Sequence, residues 1–259
     1  MKPSRITGIF VALVSLVMAA PIIAVLLMAF SETGTLSVSP ADFSLTWFRA
    51  FFASNAFTNG FMLSLWLGMA TSIIATFLGC LCALAIARMG NRSAQLCETL
   101  MVTPILVPHI LFGAALLLFF LNSAYKGTFV PLLLGHVIIA LPYTVQTLIA
   151  GISGMGATLQ EAAISLGATP LQAFQKVTLP LLKSSLVSAA IFAFVISFSD
   201  VNLAIFLSGP RTTTLPAVIY SDVVNLGQPT VAAASTLQIA LIVVFLLVQR
   251  IQCLLDHRR

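Results

Sequence analysis

Charge is what this chain lacks. Only 7% of its 259 residues are charged, against 59% hydrophobic, whereas a soluble domain carries about 25% charged and about 45–50% apolar residues. So few charges cannot cover a water-facing surface, and a soluble domain is excluded. Seven acids and three histidines, scattered along the chain, do not form the acid/base or nucleophile cluster of a membrane enzyme. They also supply neither the coupling-ion carboxylates of a secondary transporter nor the charged ring of a channel. The four cysteines, Cys80, Cys82, Cys97 and Cys253, show no disulfide framework and no metal spacing, and are read as small apolar fillers. A G-x-x-x-x-G-K-[ST] phosphate loop is missing too.

Long apolar runs are what the chain has. A bilayer core needs about 20 apolar helical residues, and six segments approach this: Gly8–Phe30, Phe61–Ala87, Thr99–Leu121, Val130–Ile152, Ser184–Leu207 and Ala232–Val248. The first follows Lys2 and Arg5, and Met18-Ala19-Ala20 within it resembles a cleavage site, so a signal peptide is one reading. Its uncharged run from Ile6 to Ser31 exceeds the apolar region such peptides use, and a retained span is expected. With both termini inside, the inner segments hold Lys2, Arg5, Arg88, Arg92, Lys176, Lys183, Arg250, Arg258 and Arg259, and the outer ones only Arg49, Lys126 and Arg211. That bias orients the chain. It also accounts for the net charge of +5 without invoking nucleic acid.

One inner segment, between the fourth and fifth spans, is patterned as two short helices. Thr158 and Glu161 have the spacing of a capping box, followed by an apolar stripe of Leu159, Ala162, Ala163 and Leu166. Gly167 stands where a left-handed residue ends a helix. Thr169, Pro170 and Gln172 repeat the start signal, Leu171, Phe174 and Val177 form a second stripe, and Pro180 is expected to stop it. From these residues alone the segment is either an interfacial helix covering the span ends or a docking helix whose alanines admit another protein closely.

The spacing Glu161-Ala162-Ala163, three residues, Gly167, nine residues, Val177, one residue, Leu179-Pro180 resembles the EAA motif of ABC importer permeases, with Val177 in place of the usual Ile. Ser44–Arg49, Ser197–Val201, Phe206–Pro210 and Thr214–Tyr220 are similar to the spermidine/putrescine-type members, which often read S-F-D-E-V, F-L-S-G-P and T-L-P-x-x-I-Y. Ser199 stands where those members commonly carry an acid, which leaves the cargo open among small organic ions. The resemblance implies an all-α membrane protein of six transmembrane helices with both termini cytoplasmic, the type I ABC importer transmembrane domain, multi-pass in a bacterial inner membrane. Residues 1–60 would hold the first helix and an external segment, 61–250 the permease core with its coupling segment at 153–183, and 251–259 a cytoplasmic tail. It further implies a cytoplasmic ATPase dimer carrying ATP and Mg2+, with no cofactor or metal on this chain and no enzyme activity of its own. A second permease, a homologous different chain, and a periplasmic or lipid-anchored solute-binding protein complete the implied partners. Glu161, Ala162, Ala163 and Gly167, backed by Val177, Leu179 and Pro180, would couple the permease to the ATPase.

Asp200 is the one acid placed inside a span. Sixteen residues beyond Ser184 put it about 24 Å from the cytoplasmic edge, where a charge costs up to about 2.5–3.5 kcal/mol. It is expected on the substrate pathway, meeting a cation or ordering a gate, with an interfacial acid that snorkels or hydrogen-bonds to a neighbouring helix as the other reading. Ser199 and Pro142 are candidate pathway residues beside it. Pro104, Pro108 and Pro142 are expected to kink the third and fourth spans, His109 and His136 to make interhelical hydrogen bonds, and Arg211 to lie in an external loop.

Overall fold

The computed structural model describes residues 5–33, 43–155 and 158–256. These residues are almost wholly helical, with a single isolated bridge between Ser31 and Phe43. Among the described residues, five helices are long and apolar enough to cross a membrane, or six if one bent pair counts as a span. The chain divides into two compact units, Met1–Asn59 with Val218–Leu241, and Gly60–Ala217 with Ile242–Arg259.

The first unit contains α1 (Arg5–Phe30), α2 (Thr46–Ala53) and the start of α3 (Asn55–Ile86). Ile9, Leu13, Leu16 and Val17 of α1 are exposed, as suits a helix whose solvent is lipid. The end of α1 is tied by an aromatic cluster, with Phe30 centred 5.1 Å from Phe43 and 5.0 Å from Phe48, and Trp47 Nε1 donates to the Ser31 carbonyl at 2.8 Å.

The second unit holds most of α3, then α4 (Asn91–Val102), α5 (His109–Phe120), α6 (Phe129–Met155), α7 (Thr158–Ser165), α8 (Pro170–Ala173), α9 (Leu179–Ser199) and α10 (Asn202–Leu207). α11 (Leu215–Asn225) and α12 (Thr230–Asp256) follow, each shared between the units. Small residues let the helices of this unit close up, the usual device where no hydrophobic effect separates helix from lipid. Gly151 lies against Ser185 and Gly79 against Thr144, at separations that leave no space for a Cβ. Hydroxyls bond across the contacts, Ser72 Oγ to the Ala190 carbonyl at 2.7 Å and Thr144 Oγ1 to the Ala75 carbonyl at 3.0 Å. Leu67, Leu132, Ile139, Leu203 and Leu207 form the core beneath α10.

Three sequence expectations are corrected. The third span bends at its prolines as expected, but it is broken rather than one kinked helix over Thr99–Leu121: α4 and a 3-10 turn at Thr103–Leu106 meet α5 at a 90° bend. Pro108 lacks a donor and forces Val107 into an extended conformation, ψ 125°, which no α-helix accommodates. The fifth span does not run to Leu207, because α9 ends at Ser199 and Asp200 turns extended at ψ 124°. Pro180 does not stop the second short helix. The helix continues from Pro170 to Ser199 through a π turn at Phe174–Thr178. That wider turn displaces the carbonyl one α-turn ahead, with which the proline ring would clash.

Candidate functional site

α7 closes as the motif spacing requires. Ala168 N donates to the Ala163 carbonyl at 3.1 Å and Gly167 N to the Ile164 carbonyl at 2.9 Å, the paired bonds of a Schellman cap with Gly167 at its left-handed position, φ +94°. Thr169 then caps α8 reciprocally, its backbone N–H donating to Gln172 Oε1 at 3.0 Å and its Oγ1 accepting from Gln172 N at 3.3 Å. The capping box expected at Thr158 and Glu161 depends on the Thr158 side chain, which lies outside the described residues.

The outer face of this segment is apolar and uncovered. Glu161 and Ala162 are exposed, Ala163 is half-buried, and Ile164, Leu166 and Leu171 stand open, Leu166 with 89% of its surface free. Exposed apolar side chains on a capped turn suit either a protein partner or a membrane surface. Behind it is a cavity of about 650 Å3 lined by Leu84, Arg88, Ile152, Glu161, Val177 and Leu181. Leu179 and Pro180 open α9 directly beyond the π turn. The structure thus brings all seven motif residues onto one continuous path from α7 into α9.

The second candidate region lies at the far end of α9. Asp200 is buried and both its oxygens are engaged. Oδ1 accepts from Leu203 N at 2.8 Å, capping α10, and Oδ2 accepts from His109 Nδ1 at 2.8 Å. Three residues earlier, Ser197 Oγ lies 2.9 Å from His136 Nδ1 and donates to Thr71 Oγ1 at 3.3 Å, tying α9 to α6 and α3. His136 is fully buried, and its Nε2 has no partner among the described residues. Of the roles open to Asp200 from sequence, the interhelical bond is the one on display, and the acid presents no free carboxylate to a solute here. Ser199 is exposed, its Oγ bonded to the Val195 carbonyl at 2.7 Å, and Pro142 is buried within an unbroken α6. These two do not meet Asp200 in a shared site. Sequence reasoning expected interhelical bonds from both histidines but named no partners, since Ser197 and Asp200 lie 61 and 91 residues away.

Residues 75–259 match the family described as binding-protein-dependent transport system inner membrane component. The chain belongs to that family. It is therefore a membrane permease subunit of an ABC importer, not an enzyme, and resides in the inner membrane. The permease is 29% identical to the putrescine transport system permease protein PotI of Escherichia coli, over 84% of this chain and 80% of that one. It is 30% identical to the spermidine/putrescine permease PotC of Haemophilus influenzae, over 85% and 86%. It is 28% identical to the trehalose permease SugB of Mycobacterium tuberculosis, over 89% and 87%. Its fold is that of a chain in the bacterial alginate ABC transporter solved in complex with an alginate-pentasaccharide-bound periplasmic protein. The TM-score there is 0.71 at 15% identity, covering 93% of this chain and 91% of that one.

Proposed function

We propose that this permease is a six-span subunit, both termini cytoplasmic, that moves a polyamine-class cation and is driven through α7 by a separate ATPase. The observation that carries the coupling is the Schellman-closed α7, which exposes Glu161, Ala162 and an apolar rim, and the bias of the basic residues supports its inner placement. Glu161, Ala162, Ala163 and Gly167 form the contact, and Val177, Leu179 and Pro180 carry it into α9. ATP and Mg2+ reside on the ATPase dimer, because this chain has no phosphate loop. ATP binding draws the docked segments together, and the permease changes which side it opens to because the two states dock with different free energy. A second, homologous permease and an external solute-binding protein complete the importer. The core extends over 61–250, with the coupling segment at 153–183 and a tail at 251–259.

The polyamine reading is supported by likeness to putrescine and spermidine/putrescine permeases at 26–30% identity. A second reading, another small organic solute, is favoured by the trehalose relative at 28%. Proteoliposomes holding the complete importer, assayed for labelled putrescine and spermidine uptake, separate the two. ATP-dependent uptake competed by unlabelled polyamine supports the first, and its absence alongside uptake of another solute overturns it. A cysteine placed at Ala162 is expected to crosslink to the ATPase. Persistent failure would return α7 to a membrane-surface role.

A further inference from the structure

Two spans of the second unit are broken, and the breaks are bonded to each other. The third span bends by 90° at Val107-Pro108, and the fifth interrupts at Asp200. His109, the first residue beyond one break, bonds Asp200, the residue at the other. The half-helices that leave the two breaks pack closely, for a Cβ at Gly113 of α5 would lie 3.1 Å from Phe206 and 3.3 Å from the Asn202 carbonyl of α10. Asp200 serves both, since one oxygen starts α10 and the other holds α5. It also ends a continuous 30-residue helix that begins in the coupling segment at Pro170, a rod of about 45 Å.

We propose that His109 is a positioning residue for transport: its bond to Asp200 is the link by which movement of the coupling segment, carried along that rod, reaches the bent third span. The inference rests on the coupling role of α7 proposed above. A helix is stiff along its axis, and α9 has no break between Leu179 and Ser199, so displacement at its inner end arrives at Asp200. There the chain turns, and the bond across the break carries the displacement directly from the end of α9 to the start of α5, alongside the packing of α10 on α5. His109 supplies it with its side chain 26% exposed and that of Asp200 5% exposed, a setting in which water competes weakly for the bond. The Ser197–His136 bond one turn earlier fixes α9 laterally to α6, so the motion delivered at Asp200 is guided.

The test compares His109→Gln with His109→Met in the complete importer reconstituted in proteoliposomes. The two side chains have similar size, but only Gln carries an N–H able to donate to Asp200. His109→Gln should keep the maximal uptake rate within about threefold of the parent, and His109→Met should lose about tenfold, within the range of coupling energies between sites. ATP hydrolysis stimulated by the loaded binding protein and its half-saturating concentration should stay unchanged in both. Adding Asp200→Asn to His109→Met should lower uptake little further, because the bond is already gone. Equal uptake by the two variants, additive losses, or failure of both to assemble would overturn the proposal. A changed half-saturating concentration at constant maximal rate would also overturn it and assign Asp200 to the solute. If Gly167→Val uncouples while His109→Gln and His109→Met behave alike, only this link fails. If Gly167→Val transports normally, the coupling role of α7 fails instead.

Discussion

Gly167→Val isolates the turn on which the proposed coupling depends. At φ +94° the residue occupies a backbone region that L side chains rarely adopt, yet a Cβ there would meet nothing within 4 Å. The penalty is therefore purely conformational. A left-handed placement costs about 1–2 kcal/mol for an ordinary L residue, with alanine at the lower end and a β-branched side chain at or above the upper. Such a loss lowers the population of the closed turn by a factor of about 5 to 30. α7 has only eight residues and little stability of its own, so the loss is spent on the orientation of α7 rather than on the spans. Asparagine tolerates the left-handed region. The expected order of uptake per ATP hydrolysed in proteoliposomes is therefore Gly, Asn, Ala, Val, at constant membrane level. Crosslinking from a cysteine at Ala162 should fall in the same order. A valine variant that transports and crosslinks like the parent, or an asparagine variant as impaired as valine, would refute the reasoning.

Three further outcomes follow from the packing. Ser197→Ala leaves the buried His136 with neither ring nitrogen bonded to a side chain. It should lower stability by about 1–3 kcal/mol, read as thermal unfolding in detergent, and adding His136→Leu should recover most of the loss. Gly151→Leu drives a side chain into Ser185 where α6 and α9 touch and should cost about 1–3 kcal/mol by overpacking in the same assay. Pro180→Ala restores a backbone donor and lets the π turn relax to α register, turning α8 against α9 by roughly 100°. Uptake should fall with the membrane level unchanged, and unaltered uptake would show that this register is indifferent.

Much of the permease was legible before any coordinates. The spans now seen as α1, α3, α6 and α12 follow from apolar runs alone, because a helix in lipid is chosen by length and composition. The turn at Gly167 and the reciprocal cap at Thr169 and Gln172 were legible for another reason. Caps are local, written within three or four residues. The bend of the third span is legible in Pro104 and Pro108, though not its 90° size, whereas the break of the fifth at Asp200-Val201 is not, because hydropathy does not register a break inside apolar surroundings. Pro180 was misread as a stop because a π turn, which keeps a proline inside a continuing helix, leaves no signature in composition or period.

The sequence by itself determined the solvent of this protein, the number of apolar runs, the uneven placement of its basic residues and the capped segment proposed to meet the ATPase. Each rests on residues near one another in the chain or on totals over the whole of it. Only the tertiary structure decided what Asp200 touches. Its partners are Leu203, three residues on, and His109, 91 residues back, and a pairing over that separation depends on where two helix breaks come to lie in space. A lone acid in an apolar run reads as a charge awaiting a solute. Folded, it is the joint between two broken spans.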